Sequence, residues 1–265
     1  MNLIFLKLGG SLITKKTQPF TENKEIIKRL AEEIHQARKK KCFNLLIGNG
    51  GGSYPHVPAK KYKIAQGIIN KKSLKGIVEV QDAASRLNRI IVRTLLDVGE
   101  NAISIQPSSV ALTKNSRIIE FYLKPIKMIL EKNMIPIVYG DVGLDLNQGC
   151  SIISTEELFV FLAKKLNPER IISAGVVDGV FTADPLKKPK AKLIPEINSK
   201  NYPKIKKVLA GSAGIDVTGG MLHKVERYLE LAKIGIKSYL ISGLVKNQLK
   251  EMLLEKRALG TVIRY

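Results

Sequence analysis

The chain has 265 residues, of which 45% are hydrophobic and 25% charged, a balance typical of folded globular proteins and not of disordered ones. Its 44 basic residues exceed its 23 acidic residues, so the formal net charge is +21 and the surface should attract anions. The lysine runs are scattered along the chain and tryptophan is absent, which argues against nucleic acid as the partner.

The chain contains no apolar stretch of the roughly 18 residues that a membrane-spanning helix needs. Residues 2–8 resemble a strand that enters a glycine turn, without the basic segment, apolar core and cleavage site of a signal peptide. We therefore expect a cytoplasmic protein without a membrane segment. The two cysteines and three histidines show no metal-binding spacing, so we expect reduced thiols and no resident metal site.

Short apolar runs alternate with longer amphipathic segments. The predicted strands are 2–8, 43–48, 102–106, 134–139, 170–174 and 237–241. The predicted helices are 22–40, 77–98, 122–132, 155–166, 222–234 and 245–255. Apolar strands separated by helices predict an α/β fold with a mostly parallel sheet covered on both faces. We expect residues 184–211, rich in proline and lysine, to form an exposed excursion, and a soft division near residue 167 to separate two lobes of one domain.

Two glycine-rich turns follow the first two predicted strands. Residues 7–11 place Lys7 at a strand end before two glycines, and residues 50–53 place three glycines before a serine. Glycine lets the backbone approach a ligand closely, and successive N–H groups in such turns bind anions. Because ligands of open α/β sheets lie outside the carboxyl ends of the strands, the two turns together predict a phosphate site. His56 follows the second turn and could also meet an anion, although an isolated histidine is more often structural.

Two further motifs lie in the second half of the chain. Residues 216–221 contain paired glycines before a helix that carries Lys224, and a helix N-terminus of this kind is a ready site for phosphate. Residues 178–185 contain Asp-Gly and Asp-Pro turn signals, consistent with a plain loop or with a loop that faces a nucleotide.

The segment 154–157 begins the helix predicted over 155–166. Ser154 and Glu157 fit a capping box, which alone accounts for those two residues. Glu156 is then a carboxylate at a helix start that could face a site.

These motifs, in this order, resemble the amino acid kinase superfamily, and the resemblance extends from residue 3 to about residue 264. The most discriminating segment is 50–56, followed by residues 59–62. A histidine at this spacing resembles the isopentenyl phosphate kinases and the fosfomycin kinases. It is not typical of acetylglutamate, aspartate, uridylate or carbamate kinases. The pattern is most similar to that of the archaeal-type isopentenyl phosphate kinases.

The resemblance implies a three-layer α/β/α sandwich, a single domain of two lobes. Residues 1–166 would hold the acceptor and form a homodimer interface, and residues 167–265 would hold ATP with Mg²⁺ bound mainly through the ATP phosphates. The implied activity is the ATP-dependent phosphorylation of isopentenyl phosphate to isopentenyl diphosphate, a step of isoprenoid biosynthesis.

The resemblance also implies roles for particular residues. The implied ATP-binding residues are Lys7, Gly9, Gly10, Ser11, Gly52, Asp178, Gly220 and Lys224. The implied acceptor-binding residues are Gly51, His56, Thr155 and Glu156. Lys7, Lys16, His56 and Lys224 would be catalytic, with Lys15 as the alternative to Lys16 as the lysine that stabilises the transferred group.

The chain departs from the family pattern at three places. Pro55 and Gly143 stand where the family usually has a glycine and a larger apolar residue, and residues 155–156 read Thr-Glu in place of Gly-Asp. These departures leave two alternatives open. One is a sister kinase for another small phosphate or phosphonate acceptor. The other is a catalytically weak protein of the same fold that binds nucleotides or nucleic acid.

Overall fold

The computed structural model describes residues 2–183, 185, 188, 190–210, 220–255 and 260–265. Asp184 and most of the predicted 216–221 motif lie outside these residues. The strands are β1 (Leu3–Leu8), β2 (Asn44–Asn49), β3 (Ala102–Ser104), β4 (Ala111–Lys114), β5 (Arg117–Phe121), β6 (Ile135–Tyr139), β7 (Asp141–Asp145), β8 (Gly149–Ile153), β9 (Arg170–Gly175), β10 (Val180–Phe181), β11 (Leu193–Ile194), β12 (Glu196–Ile197), β13 (Lys237–Ser242) and β14 (Thr261–Ile263). The helices are α1 (Gly10–Ile13), α2 (Lys24–Lys40), α3 (His56–Lys61), α4 (Lys71–Asp97), α5 (Pro107–Val110), α6 (Lys124–Glu131), α7 (Thr155–Leu166), α8 (Tyr202–Ala210), α9 (Gly220–Ala232) and α10 (Gln248–Leu253).

A large, mostly parallel sheet forms the centre of the fold. Its strand order across the described residues is β12-β14-β13-β9-β1-β2-β6-β3, and β13–β14 is its antiparallel pair. A second sheet has the order β5-β4-β7-β8, and β10 pairs with β11. None of the described helices is long and apolar enough to span a membrane.

Residues of β1 alternate between the two faces of the main sheet. Ile4 and Leu6 pack into a core with α2, α4 and α10. Phe5 points to the other face and packs with α6, α7, α8 and α9, its ring centroid 5.1 Å from that of Phe159. Because both faces are covered, the strands are apolar throughout, and the predicted α/β/α sandwich is confirmed.

Three of the differences between the observed and the predicted elements affect the architecture most. α4 begins at Lys71 rather than residue 77, because Asn70 Oδ1 accepts a hydrogen bond from the Lys72 N–H (2.9 Å) and caps the helix. The β5-β4-β7-β8 sheet was not predicted, since its strands are short and partly exposed. Part of the predicted excursion is helix α8, which buries Ile205 and Leu209 against the second core.

The sheet brings several loops to one edge. Leu8, the last residue of β1, pairs with Asn49 of β2 and Ala174 of β9. Asn49 pairs in turn with Tyr139, the last residue of β6. The loops after these four strands therefore meet at the carboxyl edge of the sheet, where ligands of open α/β sheets bind.

Candidate active site

The two predicted glycine turns interlock. A Cβ atom added to Gly10 would lie 2.3 Å from the Gly52 nitrogen, and one added to Gly50 would lie 2.6 Å from the Gly10 nitrogen. Gly52 also has a φ of +54°, in the left-handed region that favours glycine. Backbone therefore lies against backbone, and any side chain at these three positions would push the turns apart.

Thr14 fastens the two turns to each other. Its buried hydroxyl donates a hydrogen bond to the Gly10 carbonyl (2.8 Å) and accepts one from the Ser53 N–H (3.0 Å). Sequence analysis did not single out Thr14, because nothing in its neighbourhood marks it as different from an ordinary loop threonine.

A buried ion pair joins β1 to the start of α7. The Lys7 ammonium contacts the Glu156 carboxylate, and the two residues are only 6% and 7% exposed. Burial alone would raise the pKa of Glu156, but the positive charges of Lys7 and Lys224 hold that pKa below its usual value. Glu156 is thus an ionised carboxylate that interacts electrostatically with Lys7 of β1 and Lys224 of α9.

Thr155 lies beside this ion pair but uses its polar group within the protein. Its buried Oγ1 donates a hydrogen bond to the Asn49 carbonyl (2.8 Å). Its methyl group lies 2.5 Å from the point where a Cβ of Gly48 would be, so glycine at 48 makes room for the larger residue. The contact ties the start of α7 to the end of β2.

Asn49 continues a buried hydrogen-bond chain that sequence analysis did not find. Its Oδ1 accepts a hydrogen bond from Asn88 Nδ2 (3.0 Å), and Asn88 Oδ1 accepts one from the Ser104 hydroxyl (2.6 Å). Buried polar side chains of this kind are stable only when they are hydrogen-bonded. The chain holds α4 and β3 against the strand that leads into the second glycine turn.

His56 is the first residue of α3 and is half-buried. Pro55, immediately before it, packs over Gly51: a Cβ added to Gly51 would lie 2.2 Å from Pro55 Cγ. Proline at 55 removes one N–H donor from the turn, and glycine at 51 provides the space for its ring.

The remaining predicted residues comprise two glycines at element ends and several exposed side chains. Gly9 closes the end of β1, its N–H donating to the Ala174 carbonyl (2.9 Å), and Gly220 begins α9 with a φ of +62°. Ser11, Lys16 and Asp178 are exposed to solvent: Ser11 on α1, Lys16 in the loop after it, and Asp178 between β9 and β10. Lys15, the alternative to Lys16, is also exposed.

Ser154 caps α7 as predicted, its Oγ accepting a hydrogen bond from the Glu157 N–H (3.1 Å). The Glu157 side chain points elsewhere, accepting from the Ile118 N–H (3.3 Å) and pairing with Arg117 (3.2 Å) and Arg227 (3.6 Å). Because α7 packs against both β5 and α9, Glu157 links these elements. The prediction that Glu157 completes a capping box with Ser154 was therefore wrong.

The sequence profile of the amino acid kinase family matches residues 2–242. The chain belongs to the amino acid kinase family. The isopentenyl phosphate kinase of Methanothermobacter thermautotrophicus is 35% identical over 98% of both chains. That of Methanocaldococcus jannaschii is 35% identical over 95% of both. An X-ray structure of an isopentenyl phosphate kinase superimposes with a TM-score of 0.85 at 33% identity, covering 98% of this chain and 100% of that one.

Family membership and fold confirm the resemblance deduced from the motifs. Members of the amino acid kinase family are phosphotransferases, and a cluster of lysines beside interlocked glycine turns suits the handling of phosphates. The part of the chain that the structure describes contains no group of three or more His, Cys, Asp or Glu residues that could hold a metal ion.

Proposed function

We propose that this protein transfers the γ-phosphate of ATP to isopentenyl phosphate and forms isopentenyl diphosphate for isoprenoid biosynthesis. The observation that carries the proposal is the placement of His56 on the turn that interlocks with the turn after Lys7. The first turn, together with Gly52, can then hold the donor phosphates, while Gly51 and His56 hold a phosphate on the acceptor. Full-length relatives called isopentenyl phosphate kinase support the choice of acceptor.

The reaction needs positive charge and alignment more than it needs a base. The acceptor is a phosphate monoester whose oxygen is ionised near neutral pH, so no general base has to remove a proton. Phosphoryl transfer then depends on in-line positioning and on neutralising the oxygens of both reactants. Lys7 and Lys224 supply fixed positive charge, and Glu156 holds Lys7 in place.

The other residues take complementary roles in this proposal. Gly9, Gly10, Ser11 and Gly52 line the ATP phosphates, with N–H groups offered by Gly10 and Gly52, and Asp178 and Gly220 face the nucleotide. His56 donates a hydrogen bond to the acceptor phosphate beside Gly51, with Thr155 and Glu156 behind it. Lys16, or Lys15 next to it, meets the transferred group.

Mg²⁺ would be bound through the ATP phosphates. Glu156, the carboxylate at the centre of the site, is already paired with Lys7, which fits an ion held by the nucleotide rather than by protein carboxylates. When bound, the ion would neutralise charge on the phosphate oxygens.

We also propose that residues 1–166 hold the acceptor, that residues 167–265 hold the nucleotide, and that the protein works as a cytoplasmic homodimer.

The test is ADP release with Mg-ATP and a panel of acceptors: isopentenyl phosphate, dimethylallyl phosphate, fosfomycin and a control without acceptor. Turnover with the two prenyl phosphates alone supports the proposal and shows that Pro55 and Glu156 are tolerated. Turnover with fosfomycin or another small phosphate alone would indicate a sister kinase. Salt-sensitive binding of nucleic acid without any ATP turnover would indicate the non-catalytic alternative.

The His56→Ala variant tests the assignment of the acceptor site. Because a charge-assisted hydrogen bond to phosphate would be lost, kcat/KM for isopentenyl phosphate should fall by about 100-fold while ATP binding persists. His35→Ala is the matched control, since the His35 ring contacts Glu100 (2.9 Å), which lies just before β3 at the opposite edge of the main sheet from the glycine turns. An unchanged kcat/KM in His56→Ala would overturn the assigned role.

A further inference from the structure

The exposed loop of residues 15–21, here called the lysine loop, carries both Lys15 and Lys16. Its ends are brought together by an isolated antiparallel bridge between Thr14 and Glu22. Within it the Lys15 N–H donates a hydrogen bond to the Thr21 carbonyl (2.9 Å). The loop is therefore closed where its two ends meet, and its position depends on the contacts it makes with neighbouring segments.

The flank of the lysine loop contacts the turn that leads to His56 (residues 50–56, the histidine turn). The Phe20 N–H donates to the Ser53 carbonyl (3.3 Å). Phe20 has a φ of 51°, a left-handed conformation that is uncommon and unfavourable for a bulky residue. Contacts outside the loop must therefore offset this unfavourable conformation.

Tyr54 makes the side-chain contacts between the two segments. Its buried hydroxyl donates a 2.5 Å hydrogen bond to Glu22, and its ring meets the Phe20 ring edge-on, with centroids 5.9 Å apart and an interplanar angle of 86°. Arg86 of α4 lies 5.3 Å from the Phe20 ring centroid and adds a cation–π contact. The lysine loop, the histidine turn and α4 thus meet at the rings of Phe20 and Tyr54.

The hydrogen bond from Tyr54 to Glu22 joins a neutral donor to an ionised acceptor. The hydrogen bond from the Tyr54 hydroxyl lowers the pKa of Glu22. Burial, and to a smaller extent the interaction with Glu22, raises the pKa of Tyr54. The bond is therefore charge-assisted at neutral pH, a stronger type than a bond between neutral groups.

We propose that Tyr54 is a positioning residue, which fastens the lysine loop to the histidine turn and so sets Lys16 relative to the acceptor phosphate at His56. Tyr54 is suited to this because it lies two residues from both Gly52 and His56 in the turn while its side chain reaches the lysine loop. The role rests on the proposed kinase function.

Tyr54→Phe removes the hydroxyl and keeps the ring contact with Phe20. Tyr62→Phe is the matched control, because Tyr62 donates a similar hydrogen bond to Glu79 (2.8 Å) away from the lysine loop. Loss of a charge-assisted bond should speed amide hydrogen exchange in residues 15–21 by about 10-fold in Tyr54→Phe and leave it unchanged in Tyr62→Phe.

Kinetics separate positioning from a general loss of structure. Tyr54→Phe should lower kcat by about 5- to 20-fold and change KM for ATP by less than about twofold. The reason is that the substitution displaces Lys16 from the transferred phosphoryl group and leaves the other ATP contacts in place. The double variant Tyr54→Phe/Lys16→Ala should be no slower than Lys16→Ala alone, because two residues that act as one unit are not additive.

Several outcomes overturn the proposal. Unchanged exchange in residues 15–21, or a double variant whose losses multiply, overturns the positioning role in an enzyme that is otherwise active. Turnover lost equally in Tyr54→Phe and Tyr62→Phe also overturns it. If the unaltered protein transfers phosphate to none of the acceptors, the proposed kinase function itself is overturned. The acceptor panel shows that result independently of any Tyr54 variant.

Discussion

Glu156 and Glu157 are consecutive residues in the first turn of α7, and each is 7% exposed, yet their carboxyl groups behave in opposite ways. The pKa of Glu156 lies below its ordinary value and that of Glu157 lies above it. One side of this turn faces the candidate active site, and the other faces β5 and α9.

The difference comes from the charges on the two sides. Glu156 is in direct contact with Lys7 and is also influenced by Lys224. For Glu157, burial outweighs the charge of Arg117 and the Ile118 N–H, and the like charge of Glu230 raises the pKa further. Equal exposure therefore does not fix ionisation: the closeness of the cations and the presence of a like charge decide it.

The largest effect is expected for Glu156→Gln. Removing one member of a buried ion pair leaves Lys7 uncompensated and should cost about 3 kcal/mol of unfolding free energy. Because Lys7 would also lose its orientation, kcat/KM should fall by about 100-fold or more. Urea unfolding and steady-state kinetics measure the two effects; a variant that keeps full activity would contradict the central role of the pair.

Replacing both members of the pair should separate stability from activity. Lys7→Met/Glu156→Leu exchanges two buried charges for apolar side chains of similar size, which is often neutral or stabilising. We expect it to recover about 2 kcal/mol of the stability lost in Glu156→Gln, measured by urea unfolding, while kcat/KM stays at least as low as in Glu156→Gln. Recovery of activity together with stability would mean that Lys7 has no part in the reaction.

The sequence alone could predict the framework of this comparison but not its contacts. The six main-sheet strands that were predicted are present because continuous apolar runs mark strands buried on both faces. The start of α4 was wrong by six residues, since its cap at Asn70 adjoins a stretch without helical periodicity.

The site was predictable to the extent that local motifs define it. Glycine turns and the Ser154 cap depend on neighbouring residues and could be predicted. The contact between Lys7 and Glu156 spans 149 positions, so no local motif predicts it. The Tyr54–Glu22 bond and the Asn49 chain had no local signal, because they arise from packing between distant segments.

Asp141 extends the comparison to a buried carboxylate held by backbone N–H groups. It accepts hydrogen bonds from the Ser108 N–H (3.0 Å) and the Val142 N–H (2.9 Å), and burial raises its pKa from 3.8 to about 6. The folded state then binds more protons than the unfolded state between these two values, so stability falls as pH rises through them.

From pH 5 to pH 8 the Asp141 contribution to unfolding free energy should decrease by about 1 kcal/mol. Asp141→Asn abolishes this titration, so its urea-unfolding free energy should fall less steeply over the same range than that of the unaltered protein. Parallel pH profiles for the two proteins would show that Asp141 titrates normally in the fold.

The smallest effect is expected for Glu157→Gln. Its raised pKa means that the fold disfavours the ionised carboxylate, so a neutral side chain of the same shape removes an unfavourable burial of charge. The same change also removes the ion pairs with Arg117 and Arg227, which is unfavourable. The two changes should nearly cancel, leaving unfolding free energy within about 1 kcal/mol and kcat within about threefold. If Glu157→Gln instead matches Glu156→Gln in both urea unfolding and kinetics, the two sides of the α7 turn act as one network, and Arg227 must help to place Lys224 three residues before it on α9.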